Sequence, residues 1–268
     1  MVMDIALYLA VGATAGLLAG LLGVGGGLII VAALAWLLPA RGFAHEYVMQ
    51  VALATSLASI ILTSISSAAA HWRRGSVLWR SVQWLVPGMV LGGLGGAQVA
   101  SHLSSEALRW IVAGYCLLAA AQLLFGRVRA GLEAEGSPGG ALLLGAGIGI
   151  GALSAVVGIG GGSMTVPLLV WLGVTPVRAV GTSAACGFAI AVASALGFVY
   201  GAHAVGAVLP SGSLGFVYLP AALGCAVASV LVAPVGVRLA HALSGDTLKR
   251  VFAAFLVLMG IAVACSGG

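Results

Sequence analysis

The sequence predicts an all-α polytopic membrane protein made of two inverted repeats, each with a glycine-broken re-entrant helix pair followed by three transmembrane helices. Low charge, long apolar runs and an internal duplication support this fold class. Of 268 residues, 62% are hydrophobic and 6% are charged, whereas soluble domains carry about 25% charged residues. Because so few charges cannot cover a water-exposed surface, lipid must cover most of the protein.

The apolar runs differ in length. A helix needs about 20 apolar residues to cross the hydrocarbon core. Six runs match a single crossing: 48–70, 81–101, 107–125, 177–200, 214–236 and 247–265. Two others, 5–38 and 139–173, are too long for one crossing, and glycine clusters at 23–27 and 158–162 interrupt them. We expect each long run to form two helices, the second a half-helix at Leu28–Leu38 or Ser163–Gly173.

The glycine clusters anchor an internal repeat. When Gly23 is aligned with Gly158, later landmarks recur in the same order. The matched pairs are Thr55-Ser56 with Thr182-Ser183, His71 with His203, Pro87 with Pro220, and Leu103-Ser104 and Leu108 with Leu243-Ser244 and Leu248. The predicted organisation is a first membrane repeat at 1–126, a polar linker at 127–138 and a second membrane repeat at 139–268.

Lysine and arginine positions distinguish two topologies. If each long run crosses once, five basic residues lie on one side and six on the other. If each run turns back at its glycines, nine share one side and only Arg41 and Arg109 lie opposite. The positive-inside rule favours the second arrangement. It predicts a multi-pass inner-membrane protein with both termini outside the cytoplasm and, since each repeat crosses three times, an inverted second repeat.

The glycine clusters are the predicted ligand site. Glycine permits positive φ and close ligand approach, and the following half-helices present free N–H groups and a positive dipole end to an anion. The alternative is that these glycines only pack helices tightly. Thr55, Ser56, Thr182 and Ser183 could donate to the anion or bond back to their own helices. The predicted substrate-binding residues are Gly25, Gly26, Gly27, Thr55, Ser56, Gly160, Gly161, Gly162, Ser163, Thr182 and Ser183.

Two histidines and four cysteines complete the candidates. His71 and His203 end corresponding spans and could couple protons to transport, or simply cap their helices. The cysteines all lie in apolar spans, without a CxxC pair, so we predict no metal site and no cofactor. The basic residues form no stripe that could follow a nucleic acid. The predicted partners are a small anion and the lipid bilayer; a monomer and a homodimer both remain open.

The function classes differ in what they require. An intramembrane enzyme needs a nucleophile with a base, or metal ligands, at membrane depth, and no such arrangement is evident, so no catalytic residue is predicted. A non-transporting assembly protein would not need duplicated broken helices. Inverted repeats with broken helices are typical of secondary transporters. We therefore expect a permease, with the enzyme and assembly classes as alternatives.

Several of these motifs resemble the sulfite exporter TauE/SafE family. The resemblance rests on Gly-Val-Gly-Gly-Gly at 23–27, its copy at 158–162 with Ser163 and Pro167, and Val180-Gly181-Thr182-Ser183. It covers essentially the whole chain. It implies a permease for sulfur-containing anions such as sulfite, sulfoacetate or related sulfonates. The first repeat departs from the second: Leu28 and Ile29 replace the small polar pair of Ser163 and Thr165, and a longer loop around residues 41–46 intervenes. The two halves are therefore expected to contribute unequally.

Overall fold

A computed structural model describes residues 2–22, 26–125, 140–242 and 245–266. These residues form an all-α protein with one small β-hairpin. The helices are α1 (Val2–Leu22), α2 (Gly27–Leu37), α3 (Val48–Arg73), α4 (Trp79–His102), α5 (Ser105–Phe125), α6 (Ala141–Val157), α7 (Gly162–Trp171), α8 (Pro176–Ala204), α9 (Leu219–Ala242) and α10 (Gly245–Cys265). Four segments, in α3, α5, α8 and α9, are long and apolar enough to cross a membrane. The helix order of the first half recurs in the second.

Both long apolar runs are broken at their glycines, close to where the sequence predicts it. The half-helices α2 and α7 each start one residue before the predicted position. Gly26 and Gly161 precede them with φ of 64° and 75°, a left-handed backbone that glycine adopts without strain. Gly23, Val24 and Gly25 lie outside the described residues.

One predicted crossing begins later than expected. Residues 214–236 read as one apolar run, but Ser213–Leu214 and Val217–Tyr218 form a two-stranded antiparallel hairpin and α9 begins only at Leu219. Gly212 and Gly215 have φ of 90° and 53°, which a helix cannot accommodate. The predicted linker at 127–138 and the landmark Leu243-Ser244 lie outside the described residues.

Helices of the first half pack against helices of the second half. Helix α4 of the first half packs along α6 of the second, and α9 packs along α1. Glycines form these interfaces: a β-carbon on Gly96 would lie 2.5 Å from the Ala152 carbonyl oxygen, and one on Gly16 would lie 2.6 Å from the Ser229 Cα. Small residues let membrane helices approach this closely. Helices α3 and α8 pack together between the pairs, and α5 packs on α10.

Several loops meet at one end of the bundle. Arg41, after α2, forms an ion pair with Asp4 near the start of α1. The Tyr218 ring, just before α9, packs edge-on against the Tyr8 and Phe43 rings, with centroid separations of 6.1 and 5.1 Å. The start of α1, the end of α2 and the hairpin before α9 therefore share one end of the bundle.

Candidate functional site

The two helix breaks lie against each other inside the bundle. The Ser56 hydroxyl on α3 is 3.0 Å from the Gly27 carbonyl oxygen and 2.9 Å from that of Gly158, so it bridges the breaks. A β-carbon on Gly27 would overlap the Gly158 carbonyl oxygen. The structure thus brings together two predicted site residues, Gly27 and Ser56, and joins them to the second glycine cluster.

The second break leaves hydrogen-bond donors unpaired. Among the described residues, no acceptor lies within hydrogen-bonding geometry of the backbone N–H groups of Gly160, Gly161, Gly162 and Ser163. The carbonyls behave differently: Gly158 accepts from Ser56, and Gly161 accepts from the backbone of Met164 and Thr165. Gly161 is buried and Gly160, Gly162 and Ser163 are half-buried, and amides shielded from water without partners cost free energy. An excess of donors at a helix N-terminus suits an anion.

Two buried hydroxyls, on α6 and α7, have no partners among the described residues. Ser154 on α6 is fully buried, and its Oγ would lie 3.3 Å from a β-carbon on Gly161. Thr165, in the first turn of α7, is also fully buried. Neither oxygen has a hydrogen-bond partner in the described part of the chain. The other such buried side-chain atoms there are Arg109 Nε, Ser194 Oγ and Ser213 Oγ.

The first break has apolar surroundings. A cavity of about 10 Å³ lies at Gly26 and Gly27 and is lined by Leu18, Leu28, Ile29, Phe252 and Phe255. This volume accommodates about one water-sized group. Among the described residues, the first break thus has an apolar cavity beside the Ser56 hydroxyl, whereas the second has the Ser154 hydroxyl beside Gly161. Unequal contributions of the two halves to a ligand site stay a prediction.

The predicted threonines make a matched pair of contacts between the halves. The Thr55 hydroxyl accepts a hydrogen bond from the Tyr218 backbone N–H at 3.0 Å, and the Thr182 hydroxyl accepts one from that of Leu78, also at 3.0 Å. These amides directly precede α9 and α4. Both threonines are fully buried. The side chain of Ser183, a residue that is 4% exposed, makes no hydrogen bond with a described residue.

The two histidines have different surroundings. His71 is half-buried, and its Nδ1 lies 3.3 Å from the Ser76 hydroxyl, just before α4. His203 is exposed, and its Nδ1 lies 2.8 Å from the Val199 carbonyl oxygen in the preceding helical turn. Neither lies at the breaks, and a role in proton coupling stays a prediction.

Sequence reasoning missed Ser154 and Tyr115, and it gave Thr165 only as a weaker candidate. Ser154 precedes Gly158 by four residues, a spacing that places side chains on one helix face and could have identified it. Tyr115 on α5 lies 2.6 Å from the Ser163 hydroxyl, from phenol oxygen to Oγ. Its partner is 48 residues away, so nothing local signals this contact.

The apolar helices, broken at glycines that meet inside the bundle, define a polytopic membrane protein with an internal polar site. A family model described as "Sulfite exporter TauE/SafE" matches residues 8–263. The chain belongs to this family of membrane transporters, as the sequence motifs indicated.

Similar proteins bear transporter names. A "Probable membrane transporter protein" of Haemophilus influenzae is 35% identical over 257 residues, covering 96% of this chain and 97% of the relative. "Probable membrane transporter protein YdhB" of Bacillus subtilis is 27% identical over 192 residues, covering 69% and 74%. YunE of the same organism, named in the same way, is 31% identical over 117 residues, covering 44% and 40%. No solved structure matches the chain.

Proposed function

We propose that this protein is a secondary transporter for a small sulfur-containing anion, such as sulfite or an organosulfonate, bound at the second helix break. The observation that carries the proposal is the set of unpaired donors there. Four backbone amides, Gly160 to Ser163, lack acceptors in the described part of the chain, and the unpartnered Ser154 hydroxyl lies beside Gly161. The unpartnered Thr165 hydroxyl belongs to the first turn of α7. A ligand with several acceptor oxygens would accept hydrogen bonds from several of these donors.

The site would hold the anion without a cationic side chain. The described groups that bond with or pack against the second break are amides, hydroxyls and apolar side chains, among them Ile60, Ile150 and Ile190. No charged residue occurs at 141–171 or 179–202. The N-terminal dipole of α7 and the hydrogen-bond donors would therefore supply the attraction. Binding without a formal countercharge keeps the anion from being trapped, which favours turnover.

The four predicted hydroxyl residues have two proposed roles: Thr55, Thr182 and Ser56 hold the helices in place, and Ser183 is a candidate ligand. The threonines accept backbone bonds and retain a hydroxyl hydrogen each, so their main role is to hold α9 and α4 beside the central helices. Ser56 holds the breaks together, and Ser183, without a partner, remains a candidate ligand. Gly27 of the first glycine cluster packs against Gly158 of the second and thereby supports the site; Gly25 lies outside the described residues.

The proposed topology is two inverted repeats in an inner membrane, with both termini outside the cytoplasm. The Asp4–Arg41 ion pair supports it, because a run that crossed once would separate these residues by the full bilayer. The Phe43–Tyr218 contact supports it too: a single crossing would put these rings on opposite faces. Among the described arginines, Arg73, Arg74, Arg80, Arg178 and Arg250 would then face the cytoplasm.

Flux into proteoliposomes tests the function. We expect purified wild-type protein to carry radiolabelled sulfite or methanesulfonate down an imposed gradient, and Ser154→Ala to reduce the apparent affinity about fivefold or more, since it removes one donor to a charged ligand. Ser194→Ala is the matched control: it deletes another buried unpartnered hydroxyl, which lies against Gly93 on α4, and should transport normally. Absence of flux with every sulfur anion tried would contradict the proposal.

A further inference from the structure

A hydroxyl from a separate helix reaches the second break. Tyr115 lies on α5, and its phenol oxygen is 2.6 Å from the Oγ of Ser163, the second residue of α7. Ser163 also has one of the unpaired backbone amides. Two hydroxyls have two hydrogens, and the bond between them uses one. The Tyr115–Ser163 pair therefore retains one donor hydrogen next to the amides of the break.

The equivalent positions at the first break have no hydroxyl. The alignment of Gly27 with Gly162 pairs Leu28 with Ser163, and that of Leu108 with Leu248 pairs Phe255 with Tyr115. Leu28 and Phe255 both line the small cavity at the first break. The same two positions thus hold a hydrogen-bonded hydroxyl pair in one half and a hydrocarbon pair in the other.

The presence of a hydroxyl pair at one break and a hydrocarbon pair at the other affects the free energy of anion binding. An oxyanion that enters a buried site gives up its hydration and needs hydrogen bonds in return. The second break offers amide and hydroxyl donors. At the first break the amides of Gly26, Gly27 and Leu28 also lack acceptors among the described residues. The cavity there is lined by Leu28, Ile29, Phe252 and Phe255, so an anion would gain no side-chain hydrogen bond from this lining and would bind more weakly than at the second break.

Building on the function proposed above, we propose that the protein binds one oxyanion, at the second break only, and that the Tyr115 hydroxyl is one of its ligands. Tyr115 and α7 then supply donors from two different helices. The ligand class is a sulfur oxyanion with three or more acceptor oxygens, as in sulfite or a sulfonate. Movement of α5 against α7 would make and break a ligand contact, so Tyr115 would determine both affinity and selectivity among anions.

Calorimetric titration of the purified full-length protein with sulfite, methanesulfonate and nitrate tests this. Wild-type protein should bind one equivalent of sulfite. Tyr115→Phe should weaken sulfite binding about tenfold, the loss of one hydrogen bond to a charged ligand. Its preference for sulfite over nitrate should also fall. The matched control Phe255→Tyr adds the same hydroxyl at the first break and should leave the stoichiometry and the sulfite affinity unchanged.

The outcomes separate the two proposals. A wild-type protein that binds no sulfur anion overturns the transport function and this inference together. Binding of two equivalents, or an unchanged sulfite affinity in Tyr115→Phe, overturns only the inference. If Tyr115 merely anchored α7, the variant would lose thermal stability without ligand and keep its preference for sulfite over nitrate, which also overturns it.

Discussion

Gly27 and Gly158 belong to different halves of the chain, yet the backbone of one packs directly on that of the other. A β-carbon on Gly27 would overlap the Gly158 carbonyl oxygen and would lie 3.0 Å from the Ser56 Oγ. Neither backbone group can move aside, because each begins or ends a helix. This contact therefore fixes the position of one helix break relative to the other.

We expect Gly27→Ala to destabilise the protein by about 1–3 kcal/mol, the usual cost of overpacking a buried position. Thermal unfolding in detergent measures it. Gly149→Ala on α6 is the control, since its β-carbon would meet no atom within 4 Å; it should be neutral or slightly stabilising. Equal unfolding midpoints for the two variants would show that the breaks can separate at little cost.

Replacement of the buried threonines should mainly affect stability. Thr182→Val leaves the Leu78 amide without its acceptor, and Thr55→Val does the same to Tyr218. We expect each to cost about 1–3 kcal/mol, whereas Thr→Ser at either position retains the oxygen and most of the stability. Valine variants that unfold like the wild type but lose anion affinity would instead show that these hydroxyls contact the substrate.

The α4–α6 interface should be sensitive to small additions of volume. A β-carbon on Gly92 would overlap the Ile148 carbonyl oxygen, so Gly92→Ala should cost about 1–3 kcal/mol. Gly95, three residues further along α4, has open space around it. Gly95→Ala should therefore unfold no earlier than the wild type. The difference between the two unfolding midpoints measures the contribution of this interface.

Single-cysteine labelling tests the topology in intact cells. Val208, which is 90% exposed in the loop after α8, should as Val208→Cys react with a membrane-impermeant maleimide from outside. Arg74→Cys, at the α3–α4 turn, should react only after permeabilisation. Both are made in a background without the native cysteines, of which Cys265 is the exposed one among the described residues. Labelling of both positions from the same side would contradict three crossings per repeat.

Some features of the fold could be predicted because neighbouring residues in the sequence determine them, and others could not. Helix breaks were predicted to within one residue because consecutive glycines interrupt an apolar run in the sequence itself. The hairpin before α9 was missed because residues 214–218 continue the apolar run, although the Pro-Ser-Gly-Ser stretch at 210–213 and Gly215 are typical of turns. Hydropathy does not report backbone angles.

Side-chain roles depended on distant partners and were harder to predict. Thr55 and Thr182 were recognised as a repeated pair, but their partners lie 163 and 104 residues away. Tyr115 looks like any other aromatic residue of an apolar span until α7 is packed against α5. A single hydroxyl in a span has the same local signal whether it bonds to its own helix or faces a ligand.

The exchange of packing partners between the halves constrains how the protein is made. Tyr8 on α1 accepts, through its carbonyl oxygen, a bond from the Cys225 thiol on α9, 217 residues later. During synthesis, α1 enters the membrane long before α9 exists. Its glycine face must therefore remain against lipid or an insertion factor until translation is nearly complete, so biogenesis of the two halves is interdependent.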